Sequence, residues 1–317
     1  MAQNVKMQAR VPQQLSHERL DHIAVNLFPD FSRSRLQQWI QAGDLTVDGQ
    51  AKRAKDKLLG GEMLAIDARL EVLENHLPQE MELDIEFEDE EILVVSKPAG
   101  LVTHPAAGHH EDTLLNGLLY HCEELQHIPR AGIVHRLDKG TSGLMVVAKT
   151  LRSQNRLVDL LQKREITRQY QAIVYGVVSS AGSVDQPIGR HPVHRTKMAV
   201  REDGKPAKTH YRVLNRFAEH THLAVTLESG RTHQIRVHLS HIQFPLVGDP
   251  LYGGTFRLPR LGSEQLRDEL RGFQRPALHA SVLQLTHPAT GVLMRWERQV
   301  PVDVACLLDL LAEHDGG

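Results

Sequence analysis

Ile133-Val134-His135-Arg136-Leu137-Asp138-Lys139-Gly140-Thr141-Ser142-Gly143-Leu144 is the stretch from which the rest of the chain is read. A β-branched run ending at Val134 leads into an arginine and an aspartate two residues apart, and a turn of small and hydroxyl-bearing residues with two glycines follows at once. The apolar run Leu144-Met145-Val146-Val147-Ala148 then resumes, so the pattern predicts a strand on each side of a tight corner that carries Asp138. Aspartate is common in turns because it caps their backbone. A carboxylate fixed by rigid flanking strands is also a usual arrangement for chemistry. Taken alone, the stretch supports both readings.

Around this corner lies a chain of 317 residues, 41% hydrophobic, which is enough for one large domain and a small one. It holds no run of about 18 apolar residues, and Met1-Ala2-Gln3-Asn4 lacks the basic-then-apolar layout of a secretory signal. Only Cys122 and Cys306 are present, too few and too far apart for a disulfide framework or a zinc knuckle. A cytoplasmic, reduced protein with no membrane partner is expected. The net charge of −2 argues against indiscriminate coating of nucleic acid, but the charge is segregated. Ten acids and no Lys or Arg lie between Glu71 and Ser96, whereas Arg190 to Arg212 holds seven Lys or Arg against two acids, and Arg152 to Arg168 five against two. Segregation allows a basic face on a near-neutral protein, although solvated loops would give the same counts.

Residues 1–14 are polar and read as an extended or frayed extension. Leu20, Ile23, Ala24 and Leu27 follow at helical spacing; Ser32 caps a second helix carrying Leu36, Trp39 and Ile40, with Gly43 at its end. Leu45-Thr46-Val47 meets the hairpin dipeptide Asp48-Gly49, and a last strand reaches Ile66. Residues 70–82, acidic and containing Pro78, read as a linker. The carboxylates from Glu82 to Glu91 alternate with Leu83, Ile85 and Phe87, which places most of them on the wet face of a strand rather than around a metal. His104, His109, His110, His191 and His194 lie in Pro/Gly loops without ligand spacing, so no metal is expected there, and they face either a partner or solvent. Further on, helices are expected over 113–121, 151–164, 234–242 and about 302–314, and strands over 166–178, 223–227, 280–285 and 292–296.

Several blocks carry a resemblance. His135-Arg136-Leu137-Asp138 with Thr141-Ser142-Gly143-Leu144, Lys97-Pro98-Ala99-Gly100-Leu101-Val102, Arg168-Gln169-Tyr170, Gly230-Arg231-Thr232-His233-Gln234-Ile235-Arg236-Val237-His238 and Pro245 to Gly253 resemble, in content and order, the RluA family of pseudouridine synthases. Gly140 and Ser142 are minor departures within the signature turn. The two N-terminal helices, the short hairpin and the cations Arg33, Arg35, Lys52 and Arg53 resemble the S4 RNA-binding domain, with an ordinary helical cap as the alternative. The organisation implied is an extension over 1–14, an S4-like unit over 15–76 and a catalytic domain over 77–317. The implied fold is α+β, a long, mostly antiparallel mixed sheet with flanking helices and an RNA cleft across its middle.

The resemblance implies isomerisation of uridine to its C-glycoside, an isomerase reaction with no cofactor. Asp138 would be the reacting carboxylate, as nucleophile or as base toward a sugar proton; both routes stay open. Arg231 would pair with it and keep it ionised in a closed cleft. Tyr170 would stack on the uracil, its hydroxyl near the C5 proton, and Arg136 would fill the RNA stack vacated by the flipped nucleotide. The branch of the family most similar to this chain implies large-subunit (23S) ribosomal RNA as partner, at uridines of the helix 69 loop, with assembling pre-50S particles as a second form of the substrate. Recognition would use the S4-like unit and the basic loop at Arg195, Lys197 and Lys205, in a monomer. Another rRNA site or transfer RNA, a non-catalytic RNA-binding module and a hydrolytic glycosidase are the competing readings; the last wants two framed carboxylates, and only Asp138 is framed.

Overall fold

The computed structural model describes residues 4–69, 76–105, 111–194, 196–254 and 263–315. The first stretch forms its own layered unit. β1 (Asn4–Arg10) pairs antiparallel with β3 (Met63–Arg69), and β2 (Leu45–Val47) pairs on the other edge of β3. Two helices, α1 (Leu20–Leu27) and α2 (Arg33–Ala42), pack on this sheet through Leu20, Ile23, Leu36, Trp39 and Ile40. Ser32 caps α2 by accepting from the Arg35 N–H, and Gly43 closes it at φ 85°. Asp48 and Gly49 both take positive φ, as the tight turn demands, but the strand that pairs with β2 arrives only at Met63. The N-terminal extension, expected to be extended or frayed, is extended as β1, whose Val5, Met7 and Ala9 alternate toward the core formed with the helices.

The rest is built on one sheet. Along it run β4 (Ile85–Glu88), β5 (Ile92–Lys97), β6 (Ser142–Ala148), β13 (Leu278–Thr286), β7 (Thr167–Tyr175), β12 (His220–Leu227), β11 (Lys208–Arg216) and β8 (Gly182–Asp185), with β14 (Leu293–Glu297) also on β13. Every pairing is antiparallel except β6 with β13, which meet in parallel only at Ser142/His279 and Gly143/Ala280. β9 (Ile188–Arg190) and β10 (Met198–Val200) form a small separate hairpin. This is the expected α+β arrangement.

Both faces of the middle strands are covered, so they read as continuous apolar runs rather than alternating ones. All seven residues of β6 are buried. Leu93 and Val95 of β5, with Met145 and Val147, face a core that also takes α3 (Leu114–His121). Ile92 and Val94, with Leu144 and Val146, face α4 (Leu151–Gln162) through Leu157 and Leu160. Farther along, Ile173 and Tyr175 pack on α6 (Glu264–Gly272) and α7 (Val302–Asp315).

The strand expected before Asp138 does not form. Residues Pro129–Gly132 make a short 3-10 turn in which Arg130 and Ala131 are left-handed, and Ile133 joins the sheet by a single bridge to Val147. The reason is proximity: a Cβ on Gly132 would lie 1.9 Å from the Ala148 carbonyl oxygen, so the chain crosses β6 too closely to run beside it. The expected helices at 113–121, 151–164, 234–242 and 302–314 are present, within about two residues at each end.

Candidate active site

Asp138 stands where the sheet opens. β6 and β13 touch only near the Asp138 turn, and that contact depends on Gly143, whose φ is +117° and whose Cβ would meet the Ala280 carbonyl oxygen at 2.2 Å. The turn itself is closed by the Thr141 N–H donating to the Asp138 carbonyl at 3.0 Å. It is buttressed by the segment after β5: the Thr103 hydroxyl donates to the Leu137 carbonyl at 2.7 Å, and the Gly100 N–H to the Lys139 carbonyl at 2.7 Å. Asp138 is thereby fixed by backbone on both sides while its side chain stays 15% exposed.

The carboxylate is held by one arginine. Arg236, on the first turn of α5 (Gln234–His241), donates through Nη1 to Asp138 Oδ2 at 3.1 Å. Its other face donates bidentately to Asp249, Nε to Oδ2 at 2.7 Å and Nη2 to Oδ1 at 2.8 Å. Asp249 is fully buried and also accepts the Leu251 and Tyr252 N–H groups. Arg236 lies over the Tyr252 ring, whose hydroxyl meets His233 Nδ1 at 2.8 Å. Burial alone would lower the Arg236 pKa, but the two carboxylates raise it, so the guanidinium stays charged.

The expected partner of Asp138 was Arg231, and the structure corrects this. Arg231 sits in the turn before α5, lines the same cleft, and donates through Nε to the Pro206 carbonyl at 3.1 Å. Arg236, five residues later, is carried inward by the helix. Both arginines lie within the Gly230 to His238 block, and only the placement of the helix distinguishes them.

Tyr170, on β7, is 5% exposed and lines the small pocket beside Asp138. Burial pushes its phenol upward, the Arg168 charge pulls it down and Asp138 pushes it up again, with a net rise. The hydroxyl therefore stays protonated at neutral pH. Arg136 is exposed and lines three cavities: the small pocket and a basin of about 700 Å³, both of which Asp138 also lines, and an adjoining basin of about 740 Å³. No hydrogen bond or ion pair engages its side chain among the described residues. The preceding His135 accepts the Val146 N–H through Nε2 at 3.1 Å; burial and the Arg168 charge depress it to about 3, so it is neutral and fixed in one tautomer.

Lys97 was read only as part of a motif. It is 1% exposed, donates to the Pro98 and Leu101 carbonyls at 2.8 Å each, and is pushed down to about 7 by burial, against the pull of Asp138.

The cations assigned to RNA have mixed surroundings. Arg33 donates to the buried Asp21 at 2.7 Å, and Arg35 lies 5.9 Å over the Trp39 ring. Lys52 is half-buried and Arg53 exposed. Lys197 is half-buried, between β9 and β10; Arg195, like His109 and His110, lies outside the described residues. Within the basic stretches Arg201 is tied to Asp203, Arg164 to Glu228, and both Arg156 and Lys163 to Asp159. Among the described residues no group of three His, Cys, Asp or Glu is arranged to hold a metal, and no helix is long and apolar enough to cross a membrane.

Residues 91–241 match the family model for RNA pseudouridylate synthase. The chain is 56% identical over 99% of its length to ribosomal large subunit pseudouridine synthase D of Pseudomonas aeruginosa, covering 98% of that protein. It is 50% identical over 98% of its length to the protein of the same name from Escherichia coli K12, covering 96% of it. Among solved structures, human RNA pseudouridylate synthase domain containing 4 matches at TM-score 0.57 and 26% identity, over 72% of this chain and 92% of that one. Human RNA pseudouridylate synthase domain containing 1 matches at TM-score 0.53 and 24% identity, over 69% and 83%, a likeness of fold.

Proposed function

The chain belongs to the RluA family of RNA pseudouridine synthases, and from that premise we propose that it isomerises uridines of large-subunit ribosomal RNA with Asp138 as the reacting carboxylate. One observation carries this reading. Asp138 lines both the small pocket and one of the two larger basins, with Oδ2 on Arg236 and the side chain part-exposed in a pocket that Tyr170 also lines. A carboxylate facing C1′ of a bound uridine acts either by attack or by removing a sugar proton, and both routes need it ionised. Arg236 offsets the desolvation that a bound base imposes, and Asp249 keeps the guanidinium aimed.

A uridine must leave its stack to reach this pocket, which costs a few kcal/mol. Arg136, exposed and unengaged at the mouth, is suited to fill the gap, and the Tyr170 ring to hold the extruded uracil. Because Tyr170 remains protonated, its hydroxyl is able to donate a hydrogen bond to a bound base. The separate sheet and core of the N-terminal unit support an S4-like role over residues 15–76, with β1 added to its sheet, and the target uridines are those of the helix 69 loop in 23S RNA.

The test uses 23S RNA transcribed with tritium at uridine C5. Wild-type protein is expected to release tritium to water and Asp138→Asn to release none, with the modified positions then mapped by sequencing. Equal release by both proteins removes Asp138 from its role. Modification confined to transfer RNA or to another ribosomal helix overturns the target while leaving the chemistry.

A further inference from the structure

Arg168 is a buried cation without a counterpart among the described residues. The residue is 8% exposed, yet no hydrogen bond or ion pair reaches its side chain among those residues, and its Nε has no partner there. Buried guanidinium groups are ordinarily paired, because an unpaired one forfeits its hydration for nothing. The acids that line the same two cavities are already used: Glu228 is taken by Arg164, His210 and Lys208, and Asp138 by Arg236. The head is nevertheless given space. A Cβ on Gly230 would lie 2.8 Å from Arg168 Nη1, so a glycine stands where any side chain would displace the guanidinium.

Its position gives the charge a use. Arg168 and Tyr170 are two residues apart on β7 and share a face, about 7 Å along the strand. Arg168 lines both the small pocket that holds Asp138 and Tyr170 and the larger basin beside it, so it marks the passage from one to the other. A base held at Tyr170 brings its sugar to Asp138 and its backbone toward the basin. Arginine suits a phosphate there because its planar fork donates two parallel hydrogen bonds to the oxygens.

We propose that Arg168 is the receptor for one RNA backbone phosphate, at a linkage flanking the uridine that enters the Asp138 pocket. This rests on the reading of the cleft as an RNA-modifying site. The contact anchors the nucleotide from the phosphate side while Tyr170 anchors it from the base side.

The experiment pairs protein and substrate changes. Stem-loops carrying a uridine that the wild-type protein modifies in 23S RNA are made with each flanking linkage in turn converted to a neutral methylphosphonate. The wild type is expected to lose about ten- to a hundredfold in kcat/KM at one linkage. Arg168→Gln should be weak on natural RNA and lose nothing further at that linkage, while Arg168→Lys should keep part of the sensitivity. If Arg168→Gln is as active as wild type, or keeps the full sensitivity at every linkage, the proposal is overturned. Circular dichroism melting checks the fold, and if Arg168→Gln is unfolded the comparison is read from Arg168→Lys. Binding of 23S RNA by the same proteins is followed against salt. Loss of one phosphate contact lowers the log–log slope by about 0.7–0.9, and an unchanged slope counts against the contact. That readout needs no turnover, so a wrong target RNA and a wrong role for Arg168 give different results.

Discussion

Asp21 and Asp138 are both held by arginine and do opposite things. Asp21, in the N-terminal unit, has a fully buried side chain and is saturated: Arg19 donates twice, Arg33 at 2.7 Å and Gln37 at 2.8 Å. Burial opposes its ionisation, but these donors hold it well below the usual carboxylate range. Asp138 receives one side-chain hydrogen bond and stays 15% exposed in a pocket. In the cleft the saturated member is Asp249, which takes most of Arg236 and leaves one Nη1 for Asp138. A carboxylate whose lone pairs are all engaged is a structural element, and one with lone pairs free is able to react.

The difference is broken most severely at Asp138 itself. Asp138→Asn should lower kcat by at least about a thousandfold, while the melting transition moves by less than about 1 kcal/mol because a single hydrogen bond is altered. Arg236→Met should act on both quantities. It strands Asp249 in the interior, at about 3–5 kcal/mol in denaturant unfolding, and removes the Arg236 hydrogen bond from Asp138. Arg231→Ala is the control: with one bond to the Pro206 carbonyl, its stability change should stay within about 0.5 kcal/mol.

Asp21→Ala tests the other side of the comparison. Its arginine partners are 44% and 52% exposed, so water can take over their hydration. The loss should be about 1–3 kcal/mol by urea unfolding, smaller than for Arg236→Met, with kcat of the folded protein unchanged. The last effect is a slope. Lys97 is pushed by burial from its ordinary 10.5 to about 7 in the folded protein. Between those values the unfolded chain binds the extra proton, so stability rises with pH from about 7 to 10. Lys97→Met should lack that rise, and a wild-type curve parallel to that of the variant would refute the assignment.

Much of this was legible in the chain. The small-residue turn after Asp138, the apolar run of β6, the Ser32 cap and the Gly43 stop are local, and the chain states them locally through sterics and hydrogen bonding. Val5, Met7 and Ala9 also spell out β1 in period two, a signal overridden by the polar residues between them. The blocks that carry the family resemblance delivered Asp138, Tyr170 and Arg136 to one cleft. What they did not deliver is which of two arginines in one block faces the carboxylate. That depends on where α5 starts and on Asp249, 13 residues further along, lying behind it.

The sequence by itself therefore determined the family, the α+β class and the identity of the residues around the cleft, because each is written in short-range pattern. Only the tertiary structure decided the states of those residues. Whether a carboxylate is saturated or open, whether an arginine is engaged like Arg33 or, like Arg168, has no partner among the described residues, and whether a lysine is buried like Lys97 depend on groups remote in the chain. Burial and long-range pairing set charge, and neither is a property of a residue and its neighbours in sequence.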